Sequence, residues 1–206
     1  MALTFSHSIV CSKWWHDRDS NEAVIDGAYN SLKTHKLVDW GVVNLGLNGV
    51  PGLGGSLQIR DVASFAYDRL AIVSSTSPQL HNVVALATDP SLTLREVREI
   101  VSQIFIAVGA DDVQSVKLWR FAAVVSYLDA PDEDFVYGLN ALEGISLAWS
   151  TCEVMPTLPA VGGDSKKRYS SEENYKIALA AFREWTMREL SDLARVCSIV
   201  GIEVIA

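Results

Sequence analysis

The sequence predicts an all-α protein, and three observations carry that expectation. Apolar residues recur at three- and four-residue spacing through most of the chain. Helix-start signals stand at the head of those stretches, as in Thr93 with Glu96 and Ser170 with Glu173. Glycine, proline and polar runs, such as Gly109, Pro131 and residues 74–79, separate one stretch from the next. The expected architecture is a bundle of about six helices with an extended N-terminal arm and a Gly-rich loop. With 206 residues the chain is long enough for one core, so residues 1–16 are read as the arm and 17–206 as a single helical domain.

The arm mixes β-branched, aromatic and polar residues without helical spacing and ends in Trp14 and Trp15. Two adjacent tryptophans on an extended segment point to opposite sides, so one of them is expected at a subunit interface. Asp19 with Glu22 reads as the start of a first helix over about residues 20–37, carrying Ile25, Ala28, Tyr29 and Leu32. Between Gly41 and Leu57 the density of glycine, together with Pro51, argues against any regular element.

Asp61 reads as the cap of a helix carrying Val62, Ala66, Leu70 and Val73. His81–Ala87 fits either a short strand or a buried helical turn. The clearest amphipathic helix runs from Leu94 to Val108, with Val97, Val101 and Ile104 on one side and Gly109 as its stop. Asp111 or Asp112 begins the next, whose stretch Leu118–Leu128 is apolar nearly all round and therefore central. Asp132, Glu133 and Asp134 suit the dipole at the head of a helix lined by Phe135, Leu139, Leu142, Ile145 and Trp149. A long loop with Lys166, Lys167 and Arg168 precedes a final helix that reaches Val200.

Apolar residues make up 49% of the chain and charged residues 20%, a balance that points to assembly with copies of itself. The net charge of −8 argues against a broad basic face for nucleic acid. Arginine outnumbers lysine by 10 to 7, which suits fixed contacts. Cys11, Cys152 and Cys197 have no CxxC spacing and read as reduced, which implies a reducing compartment. The N-terminus lacks the basic and apolar regions of a signal peptide, and no apolar run approaches the roughly 20 residues a membrane span needs.

No chemistry-bearing motif is complete. The Gly-rich segment has no Lys-Ser or Lys-Thr pair, and Leu57 stands where a dinucleotide fingerprint begun at Gly52 needs glycine. His7, His16, His35 and His81 are scattered, and no Gly-x-Ser-x-Gly elbow occurs. The expectation is a protein that is not an enzyme and uses no cofactor or metal. Arg95 and Arg98, three apart on one helix, either pair with Glu96 and Glu99 or project with Arg60 to hold phosphates. Arg120, in the most apolar helix, is either paired in the core or directed at an interface or ligand. Arg60, Arg95, Arg98 and Arg120 are thus the candidate nucleic-acid contacts, and Trp14 and Trp15 the candidate subunit contacts.

Leu47-Asn48-Gly49-Val50, followed by Leu53-Gly54, Ser56 and Arg60, resembles the segment joining the first two helices in coat proteins of rod-shaped plant RNA viruses of the furovirus and benyvirus types. The preceding Leu32-Lys33-Thr34-His35 and the tryptophan-bearing N-terminus stand in the matching order, so the resemblance covers about residues 14–60. It implies a helical-bundle subunit that polymerises into a rod around single-stranded RNA, located in the virion and, during assembly, in the host cytoplasm. After Arg60 the family's arginine and aromatic pattern is not matched. The competing reading is an acidic monomeric interaction protein, an inhibitor or immunity protein, steered by its charge onto a basic partner.

Overall fold

The computed structural model describes residues 18–51, 53, 55–149, 155, 156, 158 and 171–199, with side chains from Val24 to Leu193 within that set. Trp14, Trp15 and the rest of the expected arm, Cys11, Cys152 and Lys166–Arg168 lie outside the described residues. The protein is all-helical there, with eight helices: α1 Arg18–Thr34, α2 Trp40–Asn48, α3 Ile59–Leu70, α4 Leu80–Thr88, α5 Leu94–Val108, α6 Asp112–Asp129, α7 Phe135–Ala148 and α8 Glu172–Ile199. None of them is long and apolar enough to cross a membrane.

The all-α expectation holds, and the two helices beyond the expected six are instructive. His81–Ala87 resolves as helical within α4. The Gly-rich segment was expected to be irregular throughout, yet its first part is α2, because Asp39 Oδ1 accepts from the Val42 N–H at 2.7 Å and caps it. Its glycines serve contact. A Cβ at Gly46 would lie 2.6 Å from Leu57 Cδ1 and 2.8 Å from Trp119 Cζ2, and one at Gly41 would collide with Ser115 Oγ. Helix packing this tight outweighs the propensity cost of glycine, about 1 kcal/mol per residue. The positive-φ glycines come only afterwards, at Gly49 and Gly55.

Local capping sets the other boundaries. Leu37 N–H to Leu32 O (2.9 Å) and Lys36 N–H to Lys33 O (3.0 Å) close α1 in a Schellman motif earlier than the expected residue 37. Lys36 takes the left-handed position there, with φ 56°, where glycine is usual. Asp61 is not the cap of α3 but its reciprocal partner, accepting from the Gln58 N–H at 3.1 Å. The Thr93–Glu96 box and the Gly109 stop bound α5 as expected. At the head of α8, Ser171 Oγ accepts from the Glu173 N–H at 3.2 Å, one residue beyond the expected Ser170.

Helix α6 is the axis. Leu118 through Val124 are all buried, nearly two turns without an exposed side, and α1, α2 and α8 pack around it. Gly27 meets Ser126 while His35 meets Phe121, so α1 runs antiparallel to α6. Trp119 is the keystone. It has no exposed surface, stacks on Tyr29 at 6.1 Å between ring centres, and donates from Nε1 to Val42 O at 2.9 Å. Helices α3 and α4 form a pair, α4 packs on α5, α5 packs on α2, and α7 packs on α8.

Candidate functional site

The four candidate arginines do not form one cationic strip. Arg60, on the first turn of α3, is well exposed and stands 4.0 Å from Asp26 on α1. Arg95 is exposed on the first turn of α5 and makes no ion pair with a described residue; Glu96 instead turns back to accept from the Thr93 N–H (2.8 Å) and hydroxyl (2.7 Å). Those bonds hold the Glu96 carboxyl below the usual range. Arg98 is exposed as a residue, and its Nε and Nη2 donate to Leu47 O at 3.2 and 3.0 Å. It therefore caps the C-terminus of α2, where carbonyls lack helical partners and the dipole favours a cation.

Arg120 requires a correction. Its side chain is 1% exposed, Nη2 donates to Glu189 Oε1 at 2.6 Å, and the guanidinium lies 5.3 Å from the centre of the Trp185 ring. A strand on the outside does not reach a group enclosed between α6 and α8, so Arg120 belongs to the core. Arg69, not among the candidates, is likewise directed inward, onto Val38 O at 2.6 Å and over the Phe65 ring.

A different surface stands out at the α6–α7 turn. Asp129, Glu133 and Asp134 are exposed there, and Asp134 Oδ1 caps α7 by accepting from the Val136 and Tyr137 N–H groups at 2.8 and 3.2 Å. Helix α8 adds Glu172 and Glu173 to the same end. Its Tyr175 hydroxyl donates to Asp132 O at 2.9 Å and meets the Tyr127 hydroxyl at 2.8 Å, which ties the first turn of α8 to the turn. Gly138 makes this approach possible, since a Cβ there would fall 2.5 Å from the Tyr175 hydroxyl. Val136, Tyr137 and Ile177 are exposed apolar groups at this end, Tyr137 by 48%. Lys176 is a local cation, and it is engaged by Glu172 at 2.9 Å.

The electrostatics fit a spread field and not a chelate. Among the described residues no three His, Cys, Asp or Glu side chains are placed to hold a metal ion. Burial pushes the Asp132 carboxyl above the usual range, the Tyr127 hydroxyl opposes that shift, and the neighbouring Asp134 charge adds to it. Burial also raises Tyr127, Tyr175 and, on α1, Tyr29.

The sequence reads Asp132–Asp134 as helix-head residues, or as a carboxylate cluster that meets its counterpart where subunits stack. What it misses is the arrival of Glu172 and Glu173, which depends on a tyrosine pair 48 residues apart. The accessible signal was Tyr137, an aromatic residue just after an acidic run. The arrangement defines an all-α protein with an acidic pole. No family model, curated protein or solved structure matches the chain.

Proposed function

We propose that this protein is an acidic interaction module whose pole at the α6–α7 turn and the head of α8 covers a basic protein partner. The observation that supports this reading is the pole itself: exposed carboxylates at Asp129, Glu133, Asp134, Glu172 and Glu173 around exposed Val136 and Tyr137. Arg120, meanwhile, is enclosed between α6 and α8, and Arg69 and Arg98 spend hydrogen bonds on Val38 O and Leu47 O. An exposed aromatic group at an end where carboxylates outnumber cations has the anatomy of an interface: the aromatic anchors and the field steers encounter. The net charge of −8 acts in the same direction.

The test compares two variants of equal net charge against an immobilised basic protein such as cytochrome c. One carries Glu133→Lys, Glu172→Lys and Glu173→Lys; the other carries Asp68→Lys, Glu99→Lys and Glu184→Lys. Loss of retention confined to the first supports the pole. Equal loss in both reduces the effect to net charge and overturns it.

The second reading is the self-assembling coat subunit around single-stranded RNA. Large exposed apolar side chains favour it, notably Tyr67 at 67%, Leu147 at 65% and Met187 at 68% on α3, α7 and α8. Arg60, Arg95 and Arg98 are on the surface as its phosphate contacts. Electron microscopy with the absorbance ratio at 260 and 280 nm separates the readings: rods rich in nucleic acid support the coat, and a dispersed monomer supports the module.

A further inference from the structure

We draw no further inference here: the strongest candidate, the exposed apolar knob of Ile106, Val108 and Val113 at the α5–α6 junction, is an unpartnered face, and nothing in the structure shows what covers it.

Discussion

Around α2 the long-range polar contacts run from side chain to main chain, Arg69 to Val38, Arg98 to Leu47 and Trp119 to Val42. Around α8 side chain also meets side chain, Arg120 to Glu189 and Tyr127 to Tyr175, beside one bond to the main chain, Tyr175 to Asp132. The two regions solve the same problem with different exposure to failure. A carbonyl is a fixed neutral acceptor, and losing its donor strands a dipole. A buried carboxylate or guanidinium that loses its partner strands a full charge, which is far more costly. The α8 region already shows that tension, because Nε and Nη1 of Arg120 are buried without a hydrogen-bond partner. The lesson is that α8 is held to α6 in part by the more fragile of the two solutions.

The sharpest way to break the comparison is to remove Glu189. Glu189→Ala leaves Arg120 charged and enclosed, and we expect a loss of about 3–5 kcal/mol in urea unfolding. Replacing the pair together, Arg120→Met with Glu189→Leu, is expected to be neutral or stabilising. If the single variant costs no more than the double, the pair is not what fixes α8.

Alkaline titration probes both regions at once. Burial raises Tyr29 beside α2 and Tyr127 beside α8, so above the ordinary value near 10 the unfolded chain sheds protons that the native state keeps. Stability is thus complete below about pH 10 and falls above it, by about 1.4 kcal/mol per pH unit for each such tyrosine. Tyr29→Phe and Tyr127→Phe should each remove one tyrosine's share of the slope. An unchanged slope in Tyr127→Phe would show that this hydroxyl titrates freely in the native state.

Gly46→Ala drives a methyl against Leu57 and Trp119 and should cost about 1–3 kcal/mol, read as a lower urea midpoint. The smallest effect is a gain. Lys36→Gly relaxes a left-handed lysine and should raise stability by about 1 kcal/mol in thermal melts. No gain there would show that the contacts of Lys36 compensate its backbone strain.

The legible part of the fold was local. The Thr93–Glu96 box, the Gly109 stop, the Asp111 start and the all-round apolar stretch of α6 are read within one or two helical turns, and each stands as expected. Helix α2 was not legible, because glycine in a helix and glycine in a turn look alike until Trp119 and Ser115 press against it. The fate of the arginines was hidden for the same reason. Whether a guanidinium faces solvent or a carbonyl 51 residues away is decided by tertiary packing, as Arg98 shows.

Arg98 also bears on the order in which the chain folds. The C-terminal carbonyls of α2 are completed by Leu57, on Gly46 O, and by Arg98, on Leu47 O, so the end of that helix waits for α5 to arrive. Closing so long a loop is entropically unfavourable before the contact rewards it. The last turn of α2 is therefore expected to form late: Arg98→Ala should speed unfolding in a chevron plot and leave the refolding rate nearly unchanged.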